Sequence, residues 1–105
     1  MSLLNMNYGI NDEDRLKIIA LCKAVLPNCS IWLYGSRARG DFRSNSDIDI
    51  ALDCKSSIDI MKLFELKEIF NASNILLKID LVDLCCIEDK IFLASILQER
   101  VLWKD

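Results

Sequence analysis

Apolar residues recur along this chain with two different periods, and the change from one period to the other separates helices from strands. From Leu16 to Leu26 they return every three or four positions, which is the spacing of one buried face of a helix. In the segment 47–53, apolar residues alternate with acidic or small ones, which is typical of a strand with one face toward a core. The chain therefore contains both kinds of element.

The same periods, together with the Gly, Pro and Asn positions that interrupt them, predict a complete order of elements. In chain order these are a helix at 12–26, a strand at 30–34, a helical turn and loop at 36–46, a strand at 47–53, a helix at 60–71, a strand at 75–83, a helix at 88–98 and a strand at 101–103. Helices that lie between strands predict an α+β fold, a small mixed β-sheet with helices packed mainly on one face. No repeat or linker divides the sequence, so residues 1–105 are interpreted as a single domain.

Charge and composition exclude several classes of function. With 13 basic and 16 acidic residues, the chain lacks the basic field that drives binding to long nucleic acid. No apolar run approaches the roughly 18 residues that cross a bilayer, and the start lacks the order of a secretory signal, so we expect a cytoplasmic protein without a membrane partner. The absence of histidine leaves carboxylates, hydroxyls, arginine and lysine for any chemistry.

Cysteine and tryptophan are interpreted as structural residues. The cysteines are odd in number and form no C-x-x-C pair, which fits neither a disulfide framework nor a zinc site. We expect all five to be reduced and to serve mainly as small buried hydrophobes: Cys22, Cys29, Cys54, Cys85 and Cys86. Trp32 and Trp103 lie in apolar runs and are expected in the core or against a partner.

The chemical signal comes from a small polar turn and a later pair of aspartates. Gly35-Ser36 ends the strand at 30–34, and glycine there would let the backbone approach a phosphate while amides and the serine hydroxyl donate to it. Asp47 and Asp49 stand on one face of the next strand, where they are hard oxygen ligands suited to Mg²⁺. The combination is what an in-line displacement at a phosphate needs.

Three arginines and two further aspartates surround this signal. Arg37 and Arg39 can neutralise phosphate charge, whereas Arg43 is interpreted as a surface charge. A carboxylate on an adjacent strand would hold a second metal or take the proton of an attacking hydroxyl, and both Asp80 and Asp83 fit a hydrophobic-Asp-hydrophobic pattern. Asp53 lies about 13 Å along the strand from Asp49 and is expected to be structural.

The pattern G-S-x₁₀-D-x-D, followed by the hydrophobic-Asp-hydrophobic strand, resembles the minimal nucleotidyltransferases of the DNA polymerase β superfamily over roughly residues 10–103. The resemblance implies the nucleotidyltransferase fold and Mg²⁺-dependent transfer from a nucleoside triphosphate, with ATP as the default. It implies two Mg²⁺ ions on three catalytic aspartates, Asp47, Asp49 and Asp80, because Asp80 matches the family's position and Asp83 stands where a strand end or a cap is expected. It assigns the nucleotide contacts to Gly35, Ser36, Arg37, Arg39 and Gly40.

The resemblance also implies a partner. Small domains of this type commonly act with a helical HEPN-family toxin, and they serve as antitoxins by transferring AMP to a tyrosine hydroxyl of that toxin. A chain of 105 residues has little room for the added domain that holds other acceptors in larger family members. The alternatives are a transferase for a small-molecule hydroxyl completed by a helical partner subunit, an antitoxin that inhibits by binding alone, and a nucleotide-binding sensor.

Overall fold

A four-stranded sheet forms the centre of the structure, a computed structural model that describes residues 7–105. The elements are α1 (Asp12–Val25), β1 (Ser30–Tyr34), α2 (Gly35–Arg39), β2 (Ile48–Asp53), α3 (Ile60–Ala72), β3 (Ile79–Asp83), a 3₁₀ turn (Leu84–Cys86), α4 (Lys90–Glu99) and β4 (Val101–Lys104). Every predicted helix and strand is present, and within residues 7–105 only the 3₁₀ turn is additional. Residues 1–6 of the predicted domain lie outside the described residues.

The three long helices begin at residues whose side chains cap them. The Asn11 side chain accepts a hydrogen bond from the Asp14 amide at 2.7 Å, at the start of α1. Asp59 and Asp89 do the same for α3 and α4. Such caps satisfy amide donors that the first helical turn leaves without a partner. These short polar residues therefore fix the starting points of the helices.

The strands form a mixed sheet in the order β3-β2-β1-β4. β1 is antiparallel to both β2 and β4, whereas β2 and β3 are parallel. Tyr34 at the end of β1 lies opposite Asp49 of β2, and Asp49 is in register with Asp80 of β3. The end of β1 and the beginnings of β2 and β3 therefore meet at one end of the sheet.

Most of the core lies on one face of the sheet, as predicted. α1 and α3 pack over this face and contribute buried side chains such as Ile18 and Leu66. The apolar residues of β2 point into this core, and they are Ile48, Ile50 and Leu52. On the opposite face, Ile96 of α4 packs against Tyr34 and Ala51 in a smaller cluster. This second face also carries the carboxylate of Asp49, because neighbouring residues of a strand point to opposite sides.

β3 begins at Ile79, four residues later than the prediction at 75. Ile79 is in register with Ile48, the first residue of β2, and β2 is the only strand that pairs with β3 in the described part of the chain. The Lys78 carbonyl still accepts from the Ile48 amide at 2.8 Å, but residues 75–77 have no strand beside them and form no ladder. Ile75 and Leu77 nevertheless pack against the core. The alternation of apolar residues predicts this packing correctly, but it cannot show whether a neighbouring strand is present.

The expectation that all five cysteines are reduced is wrong for one pair. Cys29 and Cys54 form a disulfide, with their Cα atoms 4.0 Å apart. They stand one residue beyond the Ser30 and Asp53 pair, so the antiparallel register of β1 and β2 brings them face to face. A separation of 25 residues in the sequence gives no sign of this proximity.

The other thiols are free, as predicted, but only one of them is buried. Burial raises the pKa of the Cys22 thiol to about 12, whereas Cys85 and Cys86 are exposed, against the expectation of buried residues. The two tryptophans follow the prediction. Trp103 packs against the larger core and Trp32 against the smaller cluster. None of the helices within residues 7–105 has both the length and the apolar character needed to cross a membrane.

Candidate functional site

The Gly35 turn touches a carboxylate directly. Gly35 follows β1 with φ of +78°, a conformation that side chains with a Cβ rarely adopt. A Cβ built on this residue would collide with the Asp49 side chain, so glycine is required by both the backbone and the space. The turn and the aspartate strand, ten residues apart in the sequence motif, therefore form one site.

Two aspartates stand side by side at the end of the sheet. Asp49 of β2 is half-buried and in register with Asp80 of β3, while Asp47 precedes β2 and is exposed. Burial, followed by the charges of Asp80 and Asp47, raises the pKa of Asp49 to about 6, against a smaller opposing effect of Arg39. The site thus concentrates negative charge that a bound cation would neutralise.

The donor set of this site suits Mg²⁺. Within residues 7–105, no three acidic or cysteine side chains are arranged so that they could hold a metal ion by themselves. Mg²⁺ does not require such a cage, because it usually takes one or two carboxylates and completes its shell with water and substrate phosphates. The adjacent Asp49 and Asp80 carboxylates, with Asp47 beside them, fit this description.

The structure distinguishes the two candidates on β3. Asp80 lies on the face that carries Asp49, whereas Asp83 lies on the opposite face and is buried. The Asp83 carboxylate accepts hydrogen bonds from the amides of Ile58 at 2.8 Å and Cys85 at 3.0 Å. It therefore anchors the loop before α3 and the 3₁₀ turn, and only Asp80 reaches the candidate site.

The structure differs from the sequence prediction at Arg37. Its guanidinium is buried and donates to backbone carbonyl oxygens. The distances are 2.8 Å to Ser46, within the motif, and 3.1 Å to Tyr8, before α1. Further acceptors are the carbonyls of Gly9, Arg43 and Ser44. The Phe42 ring covers the group at 4.9 Å. Every nitrogen of this side chain is thus committed to the fold, and Arg37 is a structural residue rather than the predicted phosphate ligand.

Arg39 and Gly40 close α2. Gly40 ends the helix in the left-handed conformation, and its amide donates to the Ser36 carbonyl at 2.9 Å. Arg39 is about half exposed and donates through Nε to Asp41 at 3.3 Å. Its Nη1 donates to Oε2 of Glu99 at 3.0 Å. Within the described residues its Nη2 has no hydrogen-bond partner, so Arg39 can still reach an anion.

Arg43 and Asp53, which the sequence analysis set aside, lie away from these contacts. Arg43 is exposed, and only its backbone takes part in these contacts: its carbonyl accepts from Arg37, and its amide donates to the Ser46 hydroxyl at 2.8 Å. Asp53 accepts from the Lys55 amide at 3.1 Å and pairs with its ammonium group at 3.4 Å. Both observations agree with structural or surface roles.

Comparison with known proteins identifies the family. Residues 17–105 match the family described as Polymerase beta, Nucleotidyltransferase. The chain belongs to that family. As a nucleotidyltransferase domain, it is similar to the probable protein adenylyltransferase MntA of Haemophilus influenzae, with 28% identity over 74 residues that cover 70% of this chain and 65% of the relative.

A second relative, from Methanocaldococcus jannaschii, also carries an adenylyltransferase name and is 43% identical over 54 residues, which cover 50% of this chain and 60% of the relative. The domain thus spans less than two thirds of the length of each of these two relatives.

Solved structures of toxin–antitoxin complexes share the nucleotidyltransferase fold of this domain. One of them, a toxin–antitoxin with AMP-PNP, superposes with a TM-score of 0.71 and 30% identity, over 86% of this chain and 72% of that chain. Another is a tri-AMPylated HEPN toxin of Shewanella oneidensis in complex with an MNT antitoxin. It has a TM-score of 0.66 and 26% identity, over 87% of this chain and 69% of that chain.

Two residues near the candidate site were missed by the sequence analysis. Tyr34 is buried beside Asp49, and burial followed by the charges of Asp49 and Asp80 raises the pKa of its hydroxyl. Its ring meets the edge of Phe92 at a centroid distance of 6.1 Å. Glu99 reaches the site from α4, and the sequence alone gives no signal that joins residues 64 positions apart.

Proposed function

We propose that this nucleotidyltransferase domain transfers AMP from ATP to a tyrosine hydroxyl of a helical HEPN-family partner, and thereby acts as an antitoxin. The observation that carries the proposal is the close approach of Gly35 to Asp49, because it joins the turn to the carboxylate pair in one site. The relatives support the nucleotide and the acceptor. Two carry adenylyltransferase names, and one solved complex pairs an MNT antitoxin with an AMPylated HEPN toxin.

The proposed reaction is an in-line displacement. The acceptor oxygen attacks the α-phosphorus of ATP, and the bond from that phosphorus to the departing pyrophosphate breaks. Asp47, Asp49 and Asp80 would hold Mg²⁺, as two ions in the family pattern.

 Asp49 lies against the turn and Asp80 is in register with it, and the bound metal would offset the charge that develops on the phosphate oxygens.

The protein's own groups supply binding and proton transfer. The Ser36 hydroxyl and the Nη2 group of Arg39 have no hydrogen-bond partner within the described residues, so both can donate to phosphate oxygens. The proton of the acceptor passes to a carboxylate. Asp80 suits this step better than Asp49, because its side chain is exposed and open to an incoming acceptor. We place this reaction in the cytoplasm, where ATP is abundant.

Intact-mass spectrometry tests the proposal. A HEPN-family partner is incubated with the full chain, ATP and Mg²⁺, and tandem mass spectrometry locates any modification. We expect one or more added AMP masses on a tyrosine, and none with the Asp47→Asn or Asp49→Asn protein. Asp12→Asn, an exposed change on α1, is the matched control and should transfer at the unaltered rate.

The same variants separate transfer from inhibition by binding. If the Asp49→Asn protein binds the toxin and still neutralises it in cells, the domain acts as a binding antitoxin and the proposed transfer is wrong. If AMP appears on a small-molecule hydroxyl but never on a protein, the acceptor is wrong while the transferase activity stands.

A further inference from the structure

Glu99, the last residue of α4, contacts two parts of the candidate site at once. Its Oε1 accepts from the Gly35 amide at 3.1 Å, and its Oε2 accepts from Nη1 of Arg39 at 3.0 Å. The side chain is only 16% exposed. One carboxylate therefore joins the turn to the arginine that follows it, from an element far away in the sequence.

The amide contact replaces a cap that α2 lacks. Tyr34, the residue before α2, makes no side-chain capping hydrogen bond. The first amides of a helix have no partner within the helix, and a carboxylate is a favourable acceptor for them. Glu99 takes the amide of Gly35, which leaves the Ser36 hydroxyl without a partner in the described residues. Glu99 thus fixes the turn and leaves the Ser36 hydroxyl available to a phosphate.

The arginine contact restrains a side chain that is otherwise weakly held. Its other partner, Asp41, has a side chain that is 65% exposed, and ion pairs in such exposed positions contribute little to stability. The less exposed Glu99 supplies the stronger restraint on the guanidinium. The two acidic partners engage Nε and Nη1 of Arg39 and leave Nη2 for another acceptor.

We propose that Glu99 is a positioning residue for nucleotidyl transfer, which sets the direction of the Arg39 guanidinium and the geometry of the Gly35 turn toward the phosphates of the triphosphate. This inference rests on the proposed function. Misplacement of a reacting group by about 1 Å can slow a reaction by about a hundredfold, so the restraint affects the rate. Glu99 is itself negative and repels a triphosphate. If repulsion were its main effect, removal of its charge would speed the reaction rather than slow it.

Replacement by glutamine separates the two contacts. In Glu99→Gln the amide oxygen can still accept from Gly35, but the amide nitrogen is a donor and cannot accept from Arg39. In Glu99→Ala both contacts are lost. Glu68→Gln, an exposed change on α3, is the matched control for the loss of one negative charge.

NMR of the nucleotide-free protein tests the positioning itself. We expect the ¹⁵N heteronuclear NOE of the Arg39 Nε–H group to fall in Glu99→Gln and to remain unchanged in Glu68→Gln. The Gly35 amide resonance should shift in Glu99→Ala by more than in Glu99→Gln. An Arg39 signal that is already mobile in the unaltered protein, or that Glu99→Gln leaves as it was, would overturn the proposal.

Single-turnover transfer rates test the consequence for the reaction. We expect Glu99→Gln to slow AMP transfer at least about tenfold. In an Arg39→Met background the same change should alter the rate less than about twofold, because coupled residues are not additive. An equal or faster rate in Glu99→Gln, or an equal loss in the Arg39→Met background, contradicts the inference. If the unaltered chain transfers no AMP, the proposed function fails, and the NMR experiment still decides the role of Glu99.

Discussion

At the scale of single residues, an arginine whose nitrogens all donate hydrogen bonds stands near carboxylates that face mainly other negative charges. Arg37 donates from all of its nitrogens to carbonyl oxygens, including those of Tyr8, Ser44 and Ser46. Asp49 instead is half-buried among like charges, and burial, followed by those charges, raises its pKa. The first arrangement favours the fold in the absence of any ligand, whereas the second disfavours it until a cation binds.

Loss of the Arg37 guanidinium should destabilise the whole fold. We expect Arg37→Met to lower the free energy of unfolding by on the order of 3 kcal/mol, because several buried carbonyls lose a charged donor. Urea unfolding followed by circular dichroism measures the change. Arg43→Met removes an exposed charge and should stay within about 0.5 kcal/mol of the unaltered protein. Equal stability of the two variants would contradict the structural role of Arg37.

Gly35 and Gly40 offer a matched pair of alanine substitutions. Both have positive φ, at +78° and +93°, so each alanine carries a backbone cost of about 1–2 kcal/mol. Only at Gly35 would the new Cβ collide with a neighbour, the Asp49 side chain. We expect Gly35→Ala to abolish binding of Mg²⁺ and AMP-PNP in calorimetry, and Gly40→Ala to weaken it far less. Tight binding by Gly35→Ala would show that the close approach is not needed.

The raised pKa of Asp49 makes a prediction about stability and pH. Its pKa of about 6 in the folded chain exceeds the usual value of 3.8, so ionisation of this group costs stability above pH 6. The cost fades as the pH falls from 6 toward 3.8, because the folded protein then holds the proton.

Asp49→Asn should therefore raise the melting temperature of the metal-free protein at neutral pH and lose this advantage in acid. Thermal unfolding from pH 4 to pH 8, with Asp12→Asn as control, measures it. An advantage that grows in acid would contradict the assignment.

At the scale of elements, the alternation of side chains along β3 decides which of its two aspartates faces the candidate site. Asp80 and Asp83 both follow the hydrophobic-Asp-hydrophobic pattern, but their odd spacing puts them on opposite faces. The sequence left this choice to a resemblance, since either residue could belong to the site. The strand register with β2, which no local pattern reveals, places only Asp80 beside Asp49.

Asparagine substitutions at these two positions should have opposite effects. Asp80→Asn should abolish AMP transfer and leave the free energy of unfolding nearly unchanged, since its side chain is exposed. Asp83→Asn should cost about 1–3 kcal/mol of stability, because the carboxylate accepts from two amides, while the folded fraction keeps its transfer rate. Chemical denaturation and mass spectrometry of the same samples measure both. A catalytic loss in a folded Asp83→Asn protein would reverse the assignment.

Local patterns predicted the elements well because the determinants of each are local. The caps at Asn11, Asp59 and Asp89 and the glycine after β1 are visible in the sequence. Several contacts that the sequence did not predict join residues far apart in the chain. Glu99 lies 64 residues from Gly35, and the carbonyls of Tyr8 and Gly9 lie 29 and 28 residues from Arg37. Such pairings follow from the assembled sheet and helices, not from periodicity.

At the scale of the whole molecule, the sheet has a functional end and a cross-linked end. The carboxylates and the Gly35 turn lie where β1 ends and β2 begins, whereas Cys29 and Cys54 lie where β1 begins and β2 ends. The disulfide therefore stabilises the pairing of these strands without contact to the candidate site.

Reduction of this disulfide should cost stability and leave transfer intact. Closing a loop of 25 residues is worth about 3–4 kcal/mol on chain-entropy grounds. We expect the denatured protein to react with an alkylating agent at three thiols before reduction and at five after it. Transfer rates of the oxidised and reduced forms should agree within about twofold, provided that both are folded at the assay temperature. A large rate difference between folded forms would show coupling across the sheet.

The carbonyl contacts of Arg37 also limit how this chain can vary in length. Through these contacts, the segment 43–46 and the residues before α1 both bind one side chain. The loop between the turn and the aspartates is therefore held in a fixed shape around the guanidinium. A residue inserted into or deleted from this loop would carry its carbonyls out of reach. Natural insertions and deletions should therefore fall elsewhere, for example in the segment 75–77, which pairs with no strand. With ten residues between Ser36 and Asp47, the carbonyls of this loop lie within reach of the guanidinium.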